Sequence, residues 1–177
     1  MKISCSKQAL MNGINIVSKA VSTKSTMSNL QCILIEASLN DVKLIANDIE
    51  LGIETIIESD VKEPGRVALD AKLFSEIIRK LPDSEVLIET NANSQANIRC
   101  ERSNFNIPGT SGEDFNYLPE VEKNKSITLS QFTLKELIRQ TIFSISDQEA
   151  TKIMTGELFE VNNDILKVVS LDGHRIS

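Results

Sequence analysis

Ser6-Lys-Gln-Ala-Leu-Met-Asn-Gly-Ile-Asn-Ile-Val-Ser18 and Ser130-Gln-Phe-Thr-Leu-Lys-Glu-Leu-Ile-Arg-Gln-Thr-Ile142 carry one pattern, 124 positions apart. Each opens on a serine suited to cap a helix, with leucine four residues on and isoleucine eight residues on, so the apolar side chains share one helical face. Residues 3–53 fall on 127–177 without a gap. The identical pairs are Ile3/Ile127, Ser6/Ser130, Leu10/Leu134, Ile14/Ile138, Ser22/Ser146, Leu34/Leu158, Glu36/Glu160, Lys43/Lys167 and Asp48/Asp172. These matches are about three times what composition alone yields. Two unrelated strand–helix–strand units of similar periodicity are the alternative; a duplicated domain is favoured. Nothing corresponds to residues 54–120. The expectation is a complete domain over 1–120, a linker over 121–126, and a truncated start of a second domain over 127–177.

Outward from these helices, a further one is expected to open at Asp70. Leu73, Phe74, Ile77, Ile78 and Leu81 have helical spacing, and Pro82 stops the run. Segments 30–38, 42–46, 53–59, 66–69, 85–90, 96–101 and 104–107 are rich in Ile, Val and Leu. Turn material separates them at Asn40-Asp41, Pro64-Gly65 and 91–95, so they read as strands. Residues 108–125 read as a polar loop. The expected class is α+β, with two helices per domain packed on curved, mainly antiparallel sheet.

The 177 residues are 41% apolar and 25% charged, which is enough for a core and rules out disorder as a description of the whole chain. No apolar run approaches the ~18 residues of a membrane span, and the N-terminus lacks the apolar stretch of a signal peptide. Cys5, Cys32 and Cys100 form no CxxC pair and read as reduced thiols of a cytoplasmic protein. A net charge of −6 argues against a generally basic nucleic-acid binder, but the charge is uneven. Helical segments 6–24, 71–81 and 130–142 carry net +3, +2 and +1, leaving −12 on the rest. One reading is that helices simply place lysines in solvent; the sharper reading is a basic surface lined by helices, with the strands facing acidic solvent. No phosphate loop, nucleophile elbow or zinc-spaced cluster is present, and His174 is the one histidine. The compact polar cluster is Asp172-Gly-His-Arg175. It reads either as an Asp–His dyad beside an anion-binding arginine, or as an Asp-Gly turn with structural hydrogen bonds.

Together, Lys2-Ile3, Val17-Ser-Lys-Ala-Val-Ser-Thr-Lys24, Cys32-Ile-Leu-Ile-Glu-Ala37, Asn47-Asp-Ile-Glu50, Gly112-Glu-Asp-Phe-Asn-Tyr-Leu-Pro119 and Asp172-Gly-His-Arg175 resemble the bacterial replicative sliding clamps, the beta subunits of DNA polymerase III. The resemblance runs along the whole chain in order. It implies three similar domains per chain, the third absent here, and two chains per ring, with helices lining the hole. It implies a non-catalytic processivity factor without cofactor or metal, which encircles duplex DNA and tethers polymerase, clamp loader and repair polymerases through short peptides. The other reading is a stand-alone peptide-binding or scaffold module built on the same repeat. By motif, the resemblance assigns DNA-facing roles to Lys24, Lys72, Arg79, Gln148, Lys152 and Ile153. It assigns a partner-peptide groove to Met154, Leu171, Gly173, His174, Arg175 and Ile176, and a dimer contact to Arg102, Asn104, Phe105 and Ile107. Phe105 and Ile107 could equally pack inside their own sheet. The chain departs from the family pattern in lacking proline in 24–30, in Asn116 where proline is common, and in Leu171 where threonine is usual.

Overall fold

The computed structural model describes residues 1–22, 27–115, 117, 124 and 126–177. The chain divides into two compact units, Met1–Glu120 and Val121–Ser177.

In the first unit, strand β1 (Lys2–Ser6) runs straight into helix α1 (Lys7–Val17). The change of structure falls at Ser6, whose backbone is extended and whose Oγ accepts the Ala9 N–H at 3.1 Å. This cap satisfies one of the four donors a helix leaves open at its start. Strands β2 (Cys32–Ala37), β3 (Val42–Asn47), β4 (Gly52–Ile57), β5 (Asp60–Glu63) and β6 (Gly65–Asp70) follow. Asp70 then caps α2 (Ala71–Lys80), accepting Leu73 N–H at 2.7 Å. The helix ends before Pro82, where Leu81 turns extended as a residue preceding proline prefers. Strands β7 (Glu85–Thr90), β8 (Ala96–Cys100), β9 (Ser103–Ile107) and β10 (Gly109–Ser111) complete the unit.

All pairings are antiparallel. They form two five-stranded sheets, β5-β1-β7-β8-β9 and β10-β6-β2-β3-β4. Helix α1 packs on β3 and β4 and against α2. The main core joins both helices to both sheets through Leu10, Ile14, Phe74, Ile78, Ile3, Ile88, Ile33 and Leu44. A second, smaller cluster of Cys32, Leu34, Ile45, Ala68 and Phe115 covers the other face of the β2–β3–β6 sheet.

Three details differ from the sequence reading. Residues 28–31 form a 3₁₀ turn, and β2 starts only at Cys32. Asp60–Glu63 is a strand although three of its four residues are charged, because β1 supplies the pairing edge. The loop expected from 108 starts later: Gly109–Ser111 pairs with β6, and Phe115 buries its ring in the second cluster.

The second unit holds helix α3 (Gln131–Thr141) and the hairpin β11 (Leu158–Asn162) and β12 (Ile165–Val169). It repeats the first unit at the 124-residue offset down to single hydrogen bonds. Ser130 caps α3 by accepting Thr133 N–H, as Ser6 accepts Ala9 N–H. Each helix passes into a 3₁₀ turn, Ser18–Ala20 or Ile142–Ser144. Ser22 N–H donates to Leu30 O, and Ser146 N–H to Met154 O. The hairpin register is also the same: Leu34 pairs with Ile45, and Leu158 with Val169. Residues 126–130, the counterpart of β1, form no strand. In the first unit β1 lies between β5 and β7, whose residues fall outside the stretch 3–53 that the repeat spans. Among the described residues of the second unit, the buried ones are Thr141, Ser144, Ser146 and Ser170, all polar.

Candidate functional site

Lys72 and Arg79 lie seven residues apart on α2, which brings them to one face, and both are exposed. Lys7, counted in the basic total of the first helix, is committed elsewhere: its Nζ donates to Leu81 O at 2.6 Å, at the C-terminal end of α2. Lys24 lies outside the described residues. Gln148 is exposed ahead of the 3₁₀ segment Glu149–Met154, which also presents Lys152 and a 91% exposed Ile153.

After β12 the chain makes a tight loop. Ser170 and Ser177 exchange both backbone hydrogen bonds at 3.0 Å, and Leu171 bridges to Ile176. Inside this frame Asp172 Oδ1 accepts the His174 N–H at 2.9 Å and the Arg175 N–H at 3.0 Å. Its Oδ2 accepts Arg175 Nε–H at 2.8 Å, and Asp172 N–H donates to Arg175 O at 3.3 Å. The His174 N–H above all, with the backbone and guanidinium of Arg175, holds the Asp172 carboxyl below the usual carboxylate range. Gly173 sits at φ +88°, in the left-handed region that glycine enters freely. The loop thus exposes Leu171, Gly173, His174, Arg175 and Ile176, while Met154 is half-buried. The Asp–His dyad is not what forms, since the carboxylate engages the backbone of His174 and the side chain of Arg175. Of the two readings of Asp172, the Asp-Gly turn with structural hydrogen bonds is the one that forms, and its identity with Asp48 across the repeat marks the same position.

On β9, an edge strand that pairs with β8, Asn104 and Phe105 are exposed, as is Arg102 in the preceding turn. Ile107 differs: it lies on the same face of β9 as Phe105, but it is 5% exposed and belongs to the main core, where it sits opposite buried Ala96. Its side chain packs within its own unit, the alternative that the sequence reading held open for it. Asn97 Nδ2 on β8 donates to Asn104 Oδ1 at 2.7 Å and Asn106 Oδ1 at 2.6 Å, which orders this edge. Among the described residues no cluster of three or more His, Cys, Asp or Glu is placed to hold a metal, and no helix is long and apolar enough to cross a membrane.

Comparison with known proteins places these features in a family. Residues 1–119 match the model of the DNA polymerase III beta subunit N-terminal domain, and residues 128–177 match that of its central domain. The beta sliding clamp of Halalkalibacterium halodurans is 36% identical over 179 residues, covering 97% of this chain and 47% of that protein. The beta sliding clamp of Bacillus subtilis is 33% identical, covering 100% and 49%. Among solved structures, a DNA polymerase III beta subunit from Eubacterium rectale superposes with a TM-score of 0.92 at 64% identity, over 99% of this chain and 48% of that one. A Bartonella birtlesii sliding clamp bound to griselimycin superposes with a TM-score of 0.91 at 28% identity, over the same shares. The chain spans about half the length of the curated relatives it matches.

Proposed function

This chain belongs to the DNA polymerase III beta subunit family, the bacterial sliding clamps, and from that membership we propose that it serves as a non-catalytic processivity factor. At its full natural length it encircles duplex DNA as a ring of two subunits in the cytoplasm. It tethers the polymerase catalytic subunit, the clamp loader and repair polymerases through short peptide motifs. The observation that carries this reading is the pair of domain matches, in family order, on two units that share a helix cap, a turn bond and a hairpin register at the 124-residue offset.

The mechanism is topological. A ring needs no base readout, and its inner face meets phosphates loosely through cationic and polar side chains and water. Lys24, Lys72, Arg79, Gln148, Lys152 and Ile153 are the proposed DNA-facing residues. A modest basic face in a protein of net charge −6 suits sliding, because tight phosphate contacts would arrest it while an acidic exterior keeps DNA off the wrong surface. Met154, Leu171, Gly173, His174, Arg175 and Ile176 are proposed to supply one wall of the peptide groove. Arg102, Asn104 and Phe105, on an open sheet edge, are proposed for the contact between subunits. What supports them is their match to family motifs, together with the exposure of those among the described residues, half-buried Met154 excepted; Lys24 rests on the motif match alone.

A low-salt titration of the 177-residue chain with linear duplexes of different sequence tests this reading. The expected binding is weak, with Kd no tighter than roughly 10⁻⁴ M, and indifferent to sequence. Tight, sequence-dependent binding would overturn it, because a clamp holds DNA by enclosure.

A further inference from the structure

We infer that Asp172 is a positioning residue of the peptide groove: its carboxylate fixes the Gly173–Arg175 backbone and aims the Arg175 guanidinium so that its terminal N–H groups meet an oxygen of an apolar peptide partner. The inference rests on the groove reading above.

The repeat separates what the fold requires from what is added. In the first unit Asp48 builds the same turn: its Oδ1 accepts Glu50 N–H at 3.1 Å and Leu51 N–H at 2.7 Å, and its own N–H donates to Leu51 O at 3.0 Å. Leu51 stands where the second unit has Arg175, so Asp48 builds its turn without a cation from that position. The bond from Arg175 Nε to Asp172 Oδ2 is therefore an addition to a turn that is already complete. It consumes the inner donor of the guanidinium. Among the described residues the terminal donors of Arg175 are unengaged, and its side chain is 58% exposed.

An exposed arginine loses rotamer freedom when it binds, and a guanidinium already held in place loses less. The exposed neighbours are Leu171 and Ile176, so the fitting occupant is an apolar peptide that presents a backbone carbonyl or carboxylate to Arg175. The loop base does not depend on Asp172, since Ser170 and Ser177 exchange two backbone bonds there and Ser177 Oγ meets Ser144 Oγ at 3.0 Å. Loss of the carboxylate charge should free the tip and leave the frame standing.

The test uses the protein at its full natural length, with griselimycin as the probe, and compares Asp172→Asn, Asp48→Asn and Arg175→Ala. Calorimetry reads affinity, and NMR reads solvent exchange of Arg175 Nε–H and of the Ser170 and Ser177 amides. The expected result is a loss of about tenfold in affinity for Asp172→Asn, as if the competent loop were populated about one-tenth of the time. Arg175 Nε–H should then exchange faster, the two serine amides should stay protected, and Asp48→Asn should bind as the parent does. If Arg175→Ala weakens binding and Asp172→Asn does not, the inference is wrong. It is equally wrong if Asp172→Asn weakens binding only with loss of the serine amide protection, since the role is then structural. If neither Arg175→Ala nor Asp172→Asn alters binding, the groove reading itself falls.

Discussion

Ile49 and Gly173 occupy equivalent places in the two units, at φ +83° and +88°. Glycine accepts that conformation without steric cost, whereas a β-branched residue is strained there by about 1–2 kcal/mol. Ile49 is 64% exposed, so little burial offsets the strain. Ile49→Gly is expected to stabilise the first unit by roughly 0.5–1 kcal/mol after the added chain entropy of glycine. A urea midpoint that stays put or falls would contradict this. Cys5, one of three buried free thiols, shows a different residue-scale effect. Burial chiefly, and the negative charge of Glu85, push its thiol from 9.0 up to about 12. The folded state holds this proton where the unfolded chain has lost it, so the stability tied to Cys5 is intact below pH 9 and declines as pH rises from 9 toward 12. At pH 8 a thiol reagent should modify Cys5 only in denaturant; fast labelling of the native protein would refute the burial argument. The caps at Ser6, Asp70 and Ser130 were legible in the sequence because one side-chain oxygen and one backbone donor suffice for them. The roles of Asp172 and Ile49 were not, since both depend on which atoms a closed loop brings together.

Helix α1 lies so close to the sheet that a Cβ on Gly13 would come within 2.6 Å of Ile57 Cγ2 and 2.8 Å of Leu44 Cδ1. Alanine is the better helix former by about 1 kcal/mol, but here the branched methyl of Ile57 must give way. Gly13→Ala should therefore be destabilising on balance, by about 1–2 kcal/mol in chemical denaturation. A stabilised variant would show that α1 can lift off β4. At the equivalent place α3 carries Leu137. The strap after β10 is the second element-scale feature. Phe115 seals Cys32, Leu34, Ile45 and Ala68, its ring meets that of Tyr117 edge-on at 5.8 Å, and Tyr117 Oη donates to Glu36 at 3.4 Å. Phe115→Ala should cost about 3 kcal/mol, and a cost below about 1 kcal/mol would mean the strap covers nothing. Both helices of the first unit and its long strands were readable from periodicity. β5 and β10 were not: Asp60-Val-Lys-Glu63 and Gly109-Thr-Ser111 have no apolar alternation, and each is a strand because of the edge it pairs with.

At the scale of the whole chain the two units differ in what they bury. The first has a continuous core, whereas the second repeats the backbone pattern with Phe132, Phe143, Leu158 and Ile165 exposed. A hairpin and one helix without a buried apolar residue have little to hold them. Hydrogen exchange on the 177-residue chain should find α3 and the β11–β12 hairpin far less protected than β2, β3 and β6; uniform strong protection in a monomer would contradict this. The repeat was legible because caps, core positions and Asp48/Asp172 survive in register, while the exposure of the second unit was not, since sequence periodicity marks an apolar face without saying what covers it. The DNA-facing role of the helices rests on charge and family likeness. The most direct test of the central claim is retention of the protein, at its full natural length and after loading by its clamp loader, on nicked circular duplex during gel filtration in moderate salt. The account predicts that the protein stays with the circle and is lost once a single cut linearises it. Equal retention before and after the cut, or none on the circle, would contradict it.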